Sequence, residues 1–384
     1  MLLAIPLAWL QLRRERIRLL VALAGIGFAV ILMFMQLGFR DALLDSSVVM
    51  HRQLNTDIVL ISPQSNALIA MDQISRRRLY QALGFSEVES ISPLYLDFAL
   101  WRNPDSRITR SIMVMGFPPQ DKVLDIASVQ SYANQITLED VVLFDRASRE
   151  EFGPVAEWFE AGRTVTTEVG NRRVRVGGLF ELGASFGADG NLVTSDLNFL
   201  RIFERRSPAG IDVGLIRLKP GADAENVAEA MRQKLPDDVL VLTKEGFMDF
   251  ERRYWQSSTA IGFIFSLGTL MGFVVGTVIV YQILYTDVSD HLAEYATLKA
   301  MGYTNRYLLT VVFQEALILS ILGYFPGFAL CLGLYNLTQN ATALPISMTL
   351  ARSSVIFGLT ILMCCISGAI AVRKVQDADP ADVF

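Results

Sequence analysis

The sequence predicts a membrane α-helical protein of four spanning helices, with one large α+β domain exported between the first span and the second. Three observations carry this reading. Of 384 residues, 52% are hydrophobic and only 19% charged, too apolar for a soluble enzyme and too charged for a bare helical bundle. The charges are segregated: residues 41–258 hold 24 Lys/Arg and 31 Asp/Glu, net −7, while the remaining 166 hold 10 and 8, net +2. Windows with at most one charge, long enough to cross ~30 Å of hydrocarbon, recur four times.

The elements follow in order. Residues 1–18 read as a cytoplasmic amphipathic helix, because Leu3, Leu7, Leu10 and Arg14 share one stripe with Trp9 beside them, a pattern suited to the membrane surface. The first span is 19–39, 21 residues without a charge. That run is too long for a signal-peptide core and has no small-residue cleavage site, so it predicts an uncleaved anchor. The exported body occupies 40–255. The second span, 256–283, lies in the 33 uncharged residues of 254–286. Trp255 and Tyr281 are separated by ~26 helical rises, roughly 39 Å, more than a bilayer needs, so this helix is expected to tilt or project outward with aromatics at both interfaces. An inner segment, 284–307, precedes the third span, 308–335, where Pro326 between Gly323 and Gly327 predicts a kink. An outer loop, 336–353, a fourth span, 354–372, and a cytoplasmic tail, 373–384, complete the chain.

Orientation follows from basic residues near the helix ends. Inner segments would carry Arg13, Arg14, Arg16, Arg18, Lys299, Arg306, Arg373 and Lys374, against Arg352 alone outside. Both termini are therefore expected in the cytoplasm.

Within the body, strand-like runs fall at 57–62, 94–101, 111–116, 141–144, 172–180 and 214–218, and helical patterns at 73–83 and 224–234. Interleaving of the two predicts α+β architecture in two lobes. An acidic body excludes nucleic-acid binding driven by phosphate contacts. Cys331, Cys364 and Cys365 all lie in apolar runs, leaving the body no disulfide framework and no cysteine-based metal site. Gly183-Ala184-Ser185-Phe186-Gly187 matches G-x-S-x-G, but that nucleophile elbow needs a following helix and a histidine base. Here a turn, Ala188-Asp189-Gly190-Asn191, follows, and the body's one histidine, His51, belongs to the helix leaving the first span. A glycine-rich hairpin or partner-contact loop is the better reading. The sequon Asn340-Ala341-Thr342 is read as chance. There is no G-x-x-x-x-G-K-[ST], no H-E-x-x-H and no metal cluster, so no cofactor or metal is expected, and energy must come from elsewhere.

In the spans, Gly268, Gly272 and Gly276 form a smooth stripe, and Gly25 with Ala29 a shorter one. Small-residue stripes admit close helix packing, either within one chain or at a homodimer seam. Glu315, two turns inside the third span, is costly there and is read as a structural carboxylate partnered by an arginine of the N-terminal helix. On the inner segment, His291, Glu294, Tyr295 and Leu298 share one helical face, with Lys299 alongside and Gly302 as the C-terminal stop. A charged, aromatic helix between two spans fits a groove on a cytosolic partner.

That segment, EYATLKAMGY at 294–303, resembles the E-x-x-x-x-[KR]-A-x-G signature of MacB/FtsX-type ABC permeases. Further strings, VLFDRASREEFGP (142–154), FELGASFGADGNLVTSDLNFL (180–200), YWQSSTAIGFIF (254–265), VIVYQILYTDVSDHLAEYATLKAMGY (278–303) and ADPADVF (378–384), resemble the DevC-type permeases of glycolipid exporters. The resemblance implies a periplasmic domain after the first span, homodimerisation and a bacterial inner-membrane location. It also implies a separate ABC ATPase that binds the ATP, a periplasmic adaptor and a TolC-like outer-membrane duct. Members work by mechanotransmission: ATP-driven motion of the spans moves the periplasmic domains, here to export a lipid or hydrophobic compound. Glu294, Tyr295, Leu298 and Lys299 would face the ATPase. An FtsX-like scaffold relaying that motion to a periplasmic hydrolase is the alternative. A sensor is disfavoured, because the chain returns to the membrane instead of entering a cytosolic output domain.

Overall fold

The computed structural model describes residues 16–291, 293, 297, 301, 303–342 and 344–377. The chain divides into two compact units, one comprising residues up to Ala42 and from Ala260 onward, the other Leu43–Thr259. Its main helices are α1 (Arg16–Ser47), α2 (Val49–Gln53), α3 (Asp196–Ile202), α4 (Ala224–Lys234), α5 (Lys244–Arg253), α6 (Ala260–Asp290), α7 (Asn305–Thr342) and α8 (Leu350–Asp377). Its strands are β1 (Ile58–Ile61), β2 (Ile74–Ser75), β3 (Val88–Arg102), β4 (Thr109–Phe117), β5 (Val141–Asp145), β6 (Thr166–Val169), β7 (Arg172–Phe180), β8 (Asn191–Ser195), β9 (Gly210–Ile211), β10 (Val213–Leu218) and β11 (Leu240–Thr243).

Among the described residues four helices, α1, α6, α7 and α8, are long and apolar enough to cross a membrane. α1 and α8 extend beyond their charge-free windows at both ends, because helical backbone hydrogen bonds do not require apolar side chains and continue into flanking polar residues. The second span differs from expectation. It begins at Ala260, not 256, after a π-helical turn over Tyr254–Ser258 and an extended Thr259 (φ −116°, ψ 159°), and its surplus length runs to Asp290. The inner segment therefore loses 284–290 to α6 and 305–307 to α7, and the outer loop shrinks because α7 reaches Thr342 and α8 starts at Leu350. Helix α7 continues through Pro326.

The two small-residue stripes meet each other. A Cβ on Gly25 would lie 2.5 Å from Ile279, one on Gly276 would lie 2.7 Å from Ala29, and one on Gly272 would lie 3.3 Å from Met33. A Cβ on Gly268 would strike Gln36. These pairs run in opposite senses, so α1 and α6 are an antiparallel pair whose seam lies within one chain. A second close approach escaped the sequence reading: Gly27 faces the backbone of Gly323 and Gly327, which bracket Pro326 on α7.

In the other unit, nine strands are ordered β11-β1-β10-β3-β4-β8-β5-β7-β6. β3 has two partners in succession, β10 along 88–94 and β4 along 95–102. β6 also returns to β3 through Trp101 and Val169, so the six strands from β3 to β6 close on themselves. Because β3 belongs to both halves, the body is one unit rather than two lobes. β1 is buried on both faces: Ile58 and Leu60 enter one core with Trp101, Phe144 and Phe152, while Val59 and Ile61 enter another with Leu124, Phe180 and Phe247, as the two-residue strand period dictates. All six strand-like runs of the sequence coincide with strands, and α4 starts at an Asp223 cap whose carboxylate accepts from Glu225 and Asn226 N–H. The 73–83 pattern opens as a two-residue strand, so its helix starts only at Arg76, capped by Ser75.

Candidate coupling site

Three side-chain clusters tie together the chain segments through which motion could pass. At one end of the membrane unit, Arg18 of α1 bonds Asp290 at 2.6 Å and lies 3.5 Å from Asp287, both on α6. His291 Nδ1 stands 3.0 Å from the Asp287 carbonyl oxygen and 3.6 Å from its carboxylate. Asp287 is buried, so this pairing is worth more than an exposed ion pair. It attaches the start of α1 to the residues that lead into the inner segment. Of the residues expected on the coupling helix, His291 sits against Asp287 of α6, whereas Glu294, Tyr295, Leu298, Lys299 and Gly302 lie outside the described residues. Glu315 is buried in α7. Of the N-terminal arginines, any one of which was expected as its partner, Arg13 and Arg14 lie outside the described residues.

At the opposite end, Arg352 of α8 bonds Asp41 of α1 at 2.8 and 3.1 Å and donates to the Ser347 carbonyl at 2.7 Å. Its guanidinium lies 5.7 Å from the Tyr335 ring centroid, and Tyr335 donates to the Phe34 carbonyl at 2.5 Å. Gly38 makes room for that ring, since a Cβ there would lie 2.6 Å from Tyr335 Cζ. One arginine, read from sequence only as an outer charge, thus joins α1, α7 and α8.

The third cluster lies in the Leu43–Thr259 unit, where both segments adjoining the membrane unit are fastened. Glu251 of α5 accepts from Leu68 N–H and from Trp255 Nε1–H, each at 2.7 Å. Trp255 packs edge-on against Phe186, 4.7 Å between centroids, and Phe186 N–H donates to Ser46 Oγ at 2.9 Å. Asp45 receives Arg52 at 2.7 Å and Arg252 at 3.6 Å, and Lys244 Nζ donates to the Arg52 carbonyl. His51 of α2 is fully buried, 4.4 Å from the Phe247 ring, with Nε2 3.7 Å from Glu251 Oε2. Burial, assisted by Arg252, pushes its pKa down to about 3, and burial raises that of Glu251. Trp255, expected at a membrane interface, belongs instead to this clasp.

The loop carrying Phe186 is held by Asp145, at the end of β5. Its carboxylate accepts from the N–H groups of Ala147, Leu182 and Gly183 and from the Asn191 amide, at 2.8–3.1 Å. Burial raises its pKa even so. Ser185 shapes the same turn: its N–H donates to the Ala188 carbonyl and its hydroxyl accepts from Ala188 N–H. The G-x-S-x-G string is therefore a packing loop with Gly183 at φ +95°, a conformation suited to glycine. Sequence reasoning named neither Asp145 nor Glu251. The acidic residue next to an all-apolar strand end, and the glutamate four residues before a tryptophan, were the available signals.

Among the described residues no group of three or more His, Cys, Asp or Glu could hold a metal ion. Comparison with known proteins fits this architecture. Residues 19–234 match the MacB-like periplasmic core domain and residues 260–380 the FtsX-like permease C-terminal domain. Two uncharacterized ABC transporter permeases, from two strains of Mycobacterium tuberculosis, are 22% identical over 222 residues. That alignment covers 57% of this chain and 57% of theirs, so the chain spans little more than half the length of these relatives. Among solved structures, the periplasmic region of MacB from Actinobacillus actinomycetemcomitans aligns at 12% identity and TM-score 0.34, covering 50% of this chain and 91% of that one. The extracellular domain of the noncanonic ABC-type transporter YknZ from Gram-positive bacteria aligns at 12% identity and TM-score 0.32, covering 49% and 100%. With four candidate spans, a mixed α+β domain inserted after the first, and both family models matched in chain order, this chain belongs to the MacB/FtsX family.

Proposed function

We propose that this chain is the permease subunit of a tripartite ABC exporter in the bacterial inner membrane and works by mechanotransmission. Both termini are cytoplasmic and the Leu43–Thr259 unit is periplasmic. A separate ABC ATPase binds the ATP and engages the inner segment through Glu294, Tyr295, Leu298 and Lys299. Closure of the ATPase pushes α6 and α7, and the motion reaches the periplasmic unit at the two chain crossings, 42–43 and 259–260. The observation that best supports this reading is the clasp itself. Residues just beyond both crossings, Ser46 and Trp255, share Phe186 as a partner, so displacement of one is passed to the other.

The chain acts as a homodimer. With both glycine stripes occupied within one chain, the seam falls on the exposed face of α6, where Phe263, Leu267, Leu270, Val274 and Val278 recur at three- and four-residue steps, the spacing of a helix-pair seam. A periplasmic adaptor and a TolC-like duct complete the path of a lipid or hydrophobic compound such as a glycolipid. Affinity purification of the tagged full-length chain tests this. Recovery of ATPase, adaptor and duct supports export. Recovery of the ATPase with a peptidoglycan hydrolase and no duct supports the FtsX-like relay instead. Mass spectrometry of envelope lipids lost on deletion identifies the cargo.

A further inference from the structure

His51 has a property that the clasp does not use. Both of its ring nitrogens are buried and neither has a hydrogen-bond partner, although buried polar groups in folded proteins are nearly always paired. The Glu251 carboxylate oxygen Oε2 is 3.7 Å from Nε2, beyond the 2.7–3.2 Å of a real bond. That oxygen accepts from Leu68 N–H, and a carboxylate oxygen has capacity for a second donor. An approach of less than 1 Å between α2 and α5 would complete the bond.

The element that could supply that movement is adjacent. α5 ends two residues after Glu251 and runs directly into the π-helical turn Tyr254–Ser258. Such a turn holds one residue more per hydrogen-bonded loop than an α-helix, and it marks places where helices change register. Thr259, extended, then interrupts the helix between the turn and α6, while its hydroxyl donates to the Trp255 carbonyl at 2.7 Å. Trp255 within the turn bonds the other oxygen of Glu251. Tightening the turn therefore moves the carboxylate and the indole together.

We infer that His51 and Glu251 form a two-position latch: in the arrangement described here the imidazole is unbonded, and in a second arrangement, reached by reshaping the Tyr254–Ser258 turn, Nε2–H donates to Glu251 Oε2. His51 is a positioning residue, acting through the helix that carries Glu251. The charged groups around it are Glu251 and Arg252 on α5, Arg52 on its own helix and Asp45 at the end of α1, with Lys244 bonded to the α2 backbone. Burial keeps the ring neutral at pH 7, so the bond is a neutral donor meeting a carboxylate. The role of the latch in coupling rests on the export reading; the existence of its two positions does not.

The test uses the full-length chain in detergent micelles. The chain has only two histidines, so 15N-histidine labelling of a His291→Gln variant leaves one imidazole to observe. The expected result is a neutral ring whose Nε2 shows microsecond-to-millisecond exchange toward a hydrogen-bonded shift, abolished by Glu251→Leu. A static, unbonded signal overturns the latch, as does a static, bonded one. His51→Phe supplies the second readout, filling the space without a donor. It should leave the melting temperature unchanged or higher and slow amide exchange across 244–258 by roughly tenfold, by removing the second position. Unchanged exchange in a folded His51→Phe chain, or a lowered melting temperature, would assign His51 to packing alone. Adding the ATPase subunit with trapped ATP then separates the two ideas: imidazole exchange that persists but ignores the ATPase keeps the latch and removes it from coupling.

Discussion

Gly327→Ala and Gly333→Ala add the same methyl group to the same helix, six residues apart, and should have opposite effects. In a helix interior alanine is favoured over glycine by ~0.8–1.0 kcal/mol. At Gly333 nothing lies within 4 Å of the new Cβ, so that gain should appear nearly whole. At Gly327 the Cβ would lie 2.8 and 2.9 Å from Val30 side-chain carbons and 3.0 Å from the Gly27 carbonyl oxygen. Ordinary contacts are ~3.5–4.0 Å, and a backbone oxygen cannot rotate aside, so α1 and α7 must separate. Overpacking of this kind costs ~1–3 kcal/mol. The two variants should therefore differ by ~1–3 kcal/mol, roughly 5- to 150-fold in folding equilibrium, with Gly333→Ala above wild type and Gly327→Ala at or below it. Equilibrium unfolding of the full chain in mixed micelles of increasing dodecyl sulfate content reads the difference directly, and micelle effects of one methyl cancel between the pair. Equal shifts in the same direction would mean that α1 does not pass against Gly327.

Four further outcomes are expected. Disulfide trapping of cysteine pairs at 36/268 and 33/272 should close within one chain, giving monomer-sized products, whereas single cysteines at 263, 267, 270 and 274 should give dimers; dimers from the glycine positions would place the seam there instead. Asp145→Ala should destabilise the Leu43–Thr259 unit by ~1–3 kcal/mol in thermal unfolding, because three N–H groups and an amide lose a buried acceptor, while Ser185→Ala should cost ~0.5–1.5 kcal/mol, the worth of one hydrogen bond, and, on the proposed function, leave export intact. His51 has a folded-state pKa of about 3, below the ordinary 6.5, so the unfolded chain alone binds that proton between the two values. Its contribution to stability is therefore lost as pH falls below 6.5, by ~1.4 kcal/mol per unit; Glu251 works in the opposite sense, and the difference between wild type and His51→Phe from pH 7 to 5 isolates the histidine. Glu294→Lys should weaken ATPase binding by ~2–5 kcal/mol with membrane insertion unchanged, as titration with the purified ATPase would show.

What could be read in advance divides along physical lines. Four spans and the strands at 141–144 and 172–180 follow from hydropathy and from alternation, which are local. The glycine stripes were visible as spacing, but which faces they meet depends on the antiparallel pairing of α1 with α6, which spacing does not encode. Asp41 and Arg352 are 311 residues apart, and nothing in either neighbourhood announces the other. Trp255 looked like an interfacial aromatic because composition cannot tell a ring at headgroups from a ring against Phe186. The break at Tyr254–Ser258 was illegible for a similar reason: YWQSS carries neither proline nor glycine, and Glu251 beside it bonds the backbone of Leu68, 183 residues away.

The placement of β1 has a consequence for biogenesis. Its two neighbours, β10 and β11, are synthesised more than 150 residues after it. Closing so long a loop is entropically slow and is rewarded only when the last strand arrives. On the proposed topology, until residue 243 has been delivered across the membrane, the sequence Ile-Val-Leu-Ile at 58–61 has neither ladder partner, and both of its faces, later enclosed, remain wet. A short apolar segment of this kind is prone to pair with its own copies. Tethering it eleven residues beyond Ser47 limits its reach but does not shield it. With that topology, production of this protein should depend on a holding chaperone at the exit side of the translocation machinery. Slowing translation late in the domain, near residues 200–240, should prolong the exposed interval and raise aggregation more than slowing it anywhere after β11.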